Sequence, residues 1–83
     1  MKFIVTQDGD EAIEVQGSVV FVDPYKNHDE FIVGMEFYSG RRKIYKILGC
    51  YKTEAVAKGV FSSVLGFLNL NSTNLFYMPK DKE

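Results

Sequence analysis

The 83-residue chain is long enough for one small domain, and its 46% hydrophobic and 25% charged residues are typical of folded globular proteins. A single cysteine, Cys50, excludes an intrachain disulfide, and no apolar run reaches the roughly 20 residues that span a bilayer. The first residues lack the apolar core of a signal peptide. We therefore expect one domain over residues 1–83, with 79–83 a polar tail, located in the cytoplasm and without a membrane partner.

The formal net charge of −1 hides an uneven distribution of charge along the chain. Residues 1–40 hold two lysines against eight acidic residues, whereas residues 41–58 hold six basic residues against Glu54 alone. Such asymmetry occurs in proteins that bind nucleic acid or acidic partners. It also arises when neighbouring strands of opposite sign pair across a sheet, and we favour this second explanation.

The first part of the chain has the pattern of short strands separated by turns. Residues 3–6 and 11–15 are strand-like and flank Asp8-Gly9, a dipeptide that favours a two-residue hairpin turn. A third apolar run at 19–22 ends at Asp23-Pro24, because proline cannot donate to a strand ladder and restricts the residue before it.

Residues 30–38 and 42–51 alternate in polarity and predict a hairpin that turns at Ser39-Gly40. A three-residue loop would set Met35 opposite Tyr45, whereas a two-residue loop would move the facing side chains to the other side of the sheet. We favour the longer loop, because it gathers the larger apolar set on one face.

A single amphipathic helix follows this hairpin. Thr53 is placed to cap its first turn, Glu54 complements the positive end of the helix dipole, and apolar residues recur at helical spacing from Val56. Turn-forming residues at 69–74 end the helix, and 75–78 is compatible with a short strand or an extended tail. The sequence therefore predicts an α+β fold in the order ββ(β)ββαβ, with an antiparallel sheet of four or five strands and one helix packed on one face.

Short motifs along the chain carry a resemblance to a known family. They are TQDG at 6–9, LGCYKTE at 48–54 with Ala57 following, and FYMP at 76–79. Together they resemble a family of small uncharacterised proteins of Gram-positive bacteria and their prophages. The resemblance covers nearly the whole chain and implies the same element order and a prophage-type setting. Because that family has no established activity, it implies no site residue. The unusually apolar helix run VFSSVLGFL departs from the family pattern.

Reactive side chains are few. Catalysis by a nucleophile needs a base within hydrogen-bond reach, and nothing in the spacing of His28 and Cys50 brings this imidazole and this thiol together. The sequence contains no residues at the spacing of a zinc site or an EF-hand, and it contains no glycine-rich phosphate loop. We therefore expect that the protein is not an enzyme and has no catalytic residues, no cofactor and no metal.

Basic residues interleaved with tyrosines at the predicted hairpin tip form a candidate nucleic-acid surface. Cations and exposed aromatic rings suit single strands through phosphate contact and base stacking. The slightly acidic chain and the absence of an RNP signature argue against this assignment. The candidate residues are Arg41, Arg42, Lys43 and Lys46.

An excess of apolar residues supports the interpretation that we favour. One helix covers only one face of the predicted sheet, and both faces of the hairpin carry apolar side chains, so that one patch stays exposed. Small domains without disulfides or metals also gain stability by pairing with a copy of themselves. The sequence therefore predicts a non-enzymatic protein-interaction module that forms a homodimer through its sheet or its helix, with a nucleic-acid-binding accessory protein of phage or prophage type as the alternative. The candidate partner-binding residues are Ile32, Tyr38, Ile44 and Leu48.

Overall fold

A computed structural model describes residues 1–15, 17–70 and 72–81. In this part of the chain the strands are β1 (Phe3–Val5), β2 (Ala12–Glu14), β3 (Val19–Tyr25), β4 (Glu30–Ser39), β5 (Arg42–Tyr51) and β6 (Leu75–Tyr77). The helix α1 (Glu54–Asn69) lies between β5 and β6 in the sequence. The predicted α+β fold and the predicted order of its elements are therefore confirmed.

The strands form two sheets of three strands, so the prediction of one sheet with four or five strands is wrong. In the first sheet, β1 lies between β2 and β6 and runs antiparallel to β2 but parallel to β6. The second sheet has the order β3-β4-β5 and is antiparallel throughout. The division arises because the chain returns after the helix and pairs β6 with β1, which places Phe3 opposite Leu75.

The β4–β5 hairpin closes with a two-residue loop instead of the predicted three-residue loop. Ser39 pairs with Arg42, and Met35 therefore lies opposite Lys46 rather than Tyr45. The turn glycine adopts a φ of 66°, a conformation that glycine reaches without steric cost and that tight hairpin turns require.

A β-bulge in β5 changes which of its later side chains face the helix. The pairing of β4 with β5 shifts by one residue between Val33 and Gly34, so that Leu48 is an extra residue in β5. Because of this extra residue, Tyr51 pairs with Phe31 on the helix side and is fully buried.

The core lies between α1 and one face of the second sheet, and it extends to β1 and the end of β6. The helix begins as predicted, because the Thr53 hydroxyl accepts a hydrogen bond from the Val56 amide at 3.2 Å. Its buried residues recur at spacings of three and four along one side, as expected for a helix that packs on a sheet. The buried hydrophobic residues are Ile4, Val33, Met35, Leu48, Tyr51, Ala57, Val60, Val64, Phe67 and Met78.

Lys2 closes the C-terminal end of α1. Its ammonium donates hydrogen bonds to the carbonyl oxygens of Phe67 at 3.0 Å and Thr73 at 2.8 Å, and also to that of Leu70. The last carbonyls of a helix lack intrahelical donors and carry the negative end of the helix dipole, so a cation at this point stabilises the helix. Lys2 thereby ties the beginning of β1 to the end of α1.

The absence of a side chain at Gly49 makes room for the buried ring of Tyr51. A Cβ atom at Gly49 would lie 2.8 Å from the Tyr51 hydroxyl and 3.1 Å from its ring. We expect Gly49→Ala to lower the free energy of unfolding by about 2–3 kcal/mol, in the range of other overpacked cores. Urea denaturation followed by circular dichroism measures this change.

The matched control for this prediction is Gly59→Ala in α1. A Cβ atom at Gly59 would meet nothing within 4 Å, and alanine is a better helix former than glycine. We expect this substitution to raise the free energy of unfolding by about 1 kcal/mol. An unchanged or raised stability of Gly49→Ala would show that the ring of Tyr51 does not need this space.

Candidate functional site

The side of the β3–β4–β5 sheet that points away from α1 is the candidate functional surface, and we call it the outer face. Directly paired residues of antiparallel strands point to the same side of a sheet, so the strand pairings define which residues belong to it. The outer-face residues are Val19, Phe21, Asp23, Tyr25, Glu30, Ile32, Gly34, Glu36, Tyr38, Lys43, Tyr45, Ile47 and Cys50.

The outer face exposes several large apolar side chains. Tyr38 is 67% exposed, Tyr45 and Val19 are each 60% exposed, and Ile47 is 45% exposed. These four lie on all three strands of the sheet. Exposed apolar side chains gathered on one face of a sheet are typical of binding sites on protein domains.

An aromatic pair fixes the centre of the outer face. The ring of Phe21 lies over Gly34, where a Cβ atom would be 2.7 Å from the tip of the ring. The rings of Phe21 and Tyr45 meet edge to face, with their centroids 6.4 Å apart. A shallow depression of about 340 Å³ lies here, bordered by two carboxylates, and its lining residues are Val19, Phe21, Asp23, Glu36 and Tyr45.

The structure separates the predicted partner-binding residues, so the expectation that they share one exposed face is wrong. Ile32 and Tyr38 lie on the outer face, but Ile44 pairs with Phe37 on the helix side and Leu48 is only 1% exposed within the core. The two-residue loop is the cause, because it places the residues of β5 on the opposite faces to those that the longer loop would give.

Tyr45 and Ile47 also lie on the outer face, whereas the predicted three-residue loop would have placed Tyr45 opposite Met35 on the helix side. Tyr45 pairs with Glu36, and Ile47 pairs with Gly34, so that both point away from α1. The signal that identifies them is the short loop around the turn glycine, which sets the register of the whole hairpin.

Opposite charges mark the two ends of the outer face. Asp23 lies near the β3–β4 turn, and Asp29 and Glu30 belong to that turn and to the start of β4. At the other end, Arg41 lies in the β4–β5 turn and Arg42 is the first residue of β5, and both are exposed. The surface is therefore acidic at one end and basic at the other.

The predicted nucleic-acid residues occupy different environments. Lys43, on the outer face, lies 3.5 Å from a carboxylate oxygen of Glu36, and this carboxylate raises the pKa of the Lys43 ammonium. Lys46, on the helix side, lies 3.2 Å from a carboxylate oxygen of Glu11 beside β2. Two of the four predicted cations are thus already paired, while the arginines of the turn are exposed.

The motifs that carry the family resemblance meet at the junction between the two sheets. The side-chain amide of Gln7 donates to the carbonyl of Cys50 at 3.0 Å and accepts from the amide of the same residue at 2.9 Å. The backbone amide of Gln7 donates to the carbonyl of Leu48 at 2.8 Å. The hydroxyl of Tyr51 donates to the carbonyl of Pro79 at 2.7 Å. These contacts give the motifs a structural role.

The first motif also builds its own turn. The Thr6 hydroxyl donates to the Asp8 carboxylate at 2.6 Å, and the Asp10 amide donates to the same oxygen at 3.0 Å. These two bonds lower the pKa of the Asp8 carboxyl. Gly9 has a φ of 79°, but Asp8 does not adopt a positive φ. The predicted two-residue hairpin is therefore replaced by a longer turn that side chains hold.

His28 and Cys50 have separate surroundings. The imidazole of His28 stacks on the ring of Tyr25, with the centroids 4.2 Å apart. Cys50 lies half-buried in β5, where partial burial and the charge of Glu30 raise the pKa of its thiol. A raised pKa favours the protonated and less nucleophilic form of a thiol. Within residues 1–15, 17–70 and 72–81, no group of three His, Cys, Asp or Glu side chains is placed to hold a metal ion.

The buried hydroxyl of Tyr51 makes the stability of the domain depend on pH in the alkaline range. Burial, with smaller effects of Asp81 and Cys50, raises the pKa of Tyr51 from 10.0 to about 12. The unfolded chain loses this proton first, so the stabilising contribution is fully present below pH 10.0 and is lost as the pH rises toward about 12. We expect the stability of Tyr51→Phe, measured by urea unfolding across this range, to decline less steeply than that of the wild type.

The control for this measurement is Tyr77→Phe, because Tyr77 is 68% exposed. We expect the stability of this variant to decline with rising pH as that of the wild type does. At neutral pH, Tyr51→Phe should also lose about 1–2 kcal/mol, because it removes the hydrogen bond to Pro79. Equal alkaline profiles for the two variants would show that the Tyr51 hydroxyl does not supply the pH dependence.

Comparisons with known proteins identified no relative of this chain. No family model matches the chain, and no curated protein or solved structure matches it. The resemblance derived from the sequence motifs therefore stays a prediction. In the part of the chain that the structure describes, no helix is long and apolar enough to cross a membrane.

Proposed function

We propose that this chain is a non-enzymatic protein-interaction module that associates with a second copy of itself through the outer face. The observation that carries the proposal is the joint exposure of Val19, Tyr38, Tyr45 and Ile47 on one side of the sheet. Aromatic residues are enriched in protein–protein interfaces because a large rigid ring buries much apolar area at a small cost in conformational entropy.

The dimensions of the outer face fit a weak homodimer. Strands lie about 4.8 Å apart and rise about 3.3 Å per residue, and β4 and β5 each have 10 residues. The face therefore covers roughly 14 by 33 Å in projection. Two such faces bury on the order of 1,000 Å², which is the lower limit for specific protein–protein interfaces. We expect a dimer whose population depends strongly on concentration.

The proposal includes no reaction, cofactor or metal. The separate surroundings of His28 and Cys50 support this part of the proposal, because an imidazole must reach a thiol to activate it. A single free thiol fits the reducing environment of the cytoplasm, where we place the protein. The prophage-type setting rests on the sequence resemblance alone.

Ile47→Lys tests the proposed interface directly. A lysine at this position would place an unpaired charge in the middle of the apolar surface, so we expect the variant to dissociate at least tenfold more readily than the wild type. Sedimentation velocity at loading concentrations from about 10 μM to about 1 mM measures the association.

The matched control is Leu65→Lys on the helix, because Leu65 is 41% exposed and Ile47 is 45% exposed. We expect this variant to associate like the wild type. A wild-type protein that sediments as a monomer at every concentration would refute the proposal, and loss of association in Leu65→Lys instead of Ile47→Lys would move the interface to the helix.

The basic β4–β5 turn supports a second candidate function, which is the binding of single-stranded nucleic acid. The arginines of the turn are exposed, and Tyr38 and Tyr45 present exposed rings on the same hairpin. Phosphate contact and base stacking are the interactions that such a surface offers. The carboxylates already paired with Lys43 and Lys46 weaken this candidate.

A gel-shift titration with single-stranded DNA and RNA oligonucleotides tests the second function. If the turn binds nucleic acid, Arg41→Gln combined with Arg42→Gln should remove the shift, whereas Lys26→Gln combined with Lys80→Gln should leave most of it. The latter pair removes the same charge from other exposed sites. Absence of a shift at about 30 mM salt would eliminate this function, because phosphate contacts are strongest at low ionic strength.

A further inference from the structure

The strand pairings arrange the outer face in rows that run across the sheet. From the β3–β4 turn toward the β4–β5 turn, the rows are Tyr25–Glu30, Asp23–Ile32–Cys50, Phe21–Gly34–Ile47, Val19–Glu36–Tyr45 and Tyr38–Lys43. The rows of Phe21 and Val19 contain most of the aromatic and aliphatic side chains. They are therefore the part of the surface that a partner must cover.

The charges at the two ends of these rows are opposite in sign. The end near the β3–β4 turn holds three carboxylates and one ammonium group, from Asp23, Asp29, Glu30 and Lys26. The end near the β4–β5 turn holds Arg41 in the turn, Arg42 at the start of β5, and Lys43, which lies 3.5 Å from Glu36. Arg42 pairs with Ser39 and therefore leaves the strand on the helix side, at the edge of this end. The outer face is thus complementary in charge to a second copy of itself when the acidic end of one copy faces the basic end of the other.

A twofold axis can relate two such faces in two simple orientations. If the axis runs along the strands, like ends meet, and the arginines of one copy approach those of the other. If the axis runs across the strands, unlike ends meet twice by symmetry. Like charges that face each other oppose association, whereas complementary charges orient it. In the second orientation, an axis between the rows of Phe21 and Val19 brings these two apolar rows onto each other.

We infer that two copies pack outer face to outer face with their strands running in opposite directions, and that ionic strength therefore regulates their association. This inference rests on the proposed self-association. In this arrangement the row of Phe21 lies over the row of Val19 in the other copy. Ile32 of one copy lies over Tyr38 of the other, and each acidic end meets a basic end.

The sign of the salt dependence is the first test. We expect the association constant of the wild type, measured by sedimentation velocity, to fall at least threefold between about 30 mM and about 500 mM sodium chloride, because salt screens the attraction between unlike ends. Packing of like ends predicts the opposite sign, since salt would then screen a repulsion. An association constant that rises with salt therefore overturns the inference.

Charge reversal within one chain gives a test with an internal rescue. Arg41→Glu combined with Arg42→Glu makes both ends acidic and should weaken association about tenfold at low salt. Adding Asp23→Lys and Glu30→Lys to the same chain exchanges the two ends, and this should restore association. If the first variant associates like the wild type, or if the exchange restores nothing, the inference is wrong.

Chemical crosslinking tests the geometry itself. Ile32 and Tyr38 are six residues apart in β4, which is about 20 Å along a strand, whereas sheets that pack face to face lie about 10 Å apart. Because this spacing exceeds the roughly 7 Å between the Cα atoms of a disulfide, the probe is a short bis-maleimide that joins two thiols. In a Cys50→Ser background, an Ile32→Cys chain mixed with a Tyr38→Cys chain should crosslink mainly to the mixed dimer, which mass spectrometry identifies. Leu65→Cys on the helix is the control and should not crosslink.

The outcomes separate the inference from the proposed function on which it rests. Crosslinks between identical chains, Ile32→Cys with itself or Tyr38→Cys with itself, would overturn the reversed orientation but retain the outer-face dimer. A wild-type protein that stays monomeric would overturn both. Association without any bis-maleimide crosslink through the outer face would place the contact elsewhere and would also overturn both.

Discussion

The pair of hydrogen bonds between the side-chain amide of Gln7 and the backbone of Cys50 joins the two sheets at the edge of β5. The amide takes the place of a further strand beside β5, so the second sheet ends there at three strands. The bond from Tyr51 to Pro79 fastens the segment after β6 to the same strand end. Because the other strands join a separate sheet, they do not extend or cover the second sheet on its outer face. The exposed aromatic surface is therefore a consequence of how the sheets are joined.

Local chemistry was sufficient to predict the helix and the order of the elements. Capping by Thr53 depends only on neighbours along the chain, and the spacing of apolar residues in α1 defines its buried side. The division into two sheets had no such local signal, because the pairing of Phe3 with Leu75 joins distant segments. The bulge at Leu48 could not be predicted either, because the burial of Tyr51 explains it and no preference of the bulged residue does.

The candidate site was predictable to the extent that a single strand determines it. Alternation within β4 correctly placed Ile32 and Tyr38 on one face, but the faces of β5 depend on the loop length, and Ile44 and Leu48 were misplaced for that reason. The clustering of basic residues was visible as a charge pattern. The pairing of Lys46 with a carboxylate of the first sheet was not visible, because it depends on how the two sheets meet.

The parallel pairing of β1 with β6 has a consequence for folding kinetics. The strands β3, β4 and β5 and the helix are consecutive, so their contacts close short loops and form rapidly. The pairing of β1 with β6 must instead close a loop that contains all of these elements, and the entropy of that closure slows its formation. We therefore expect Ile4 and Met78 to become buried late in folding. A chain in which β6 has opened from β1 presents an unpaired strand edge beside the exposed aromatic surface, and both features favour aggregation.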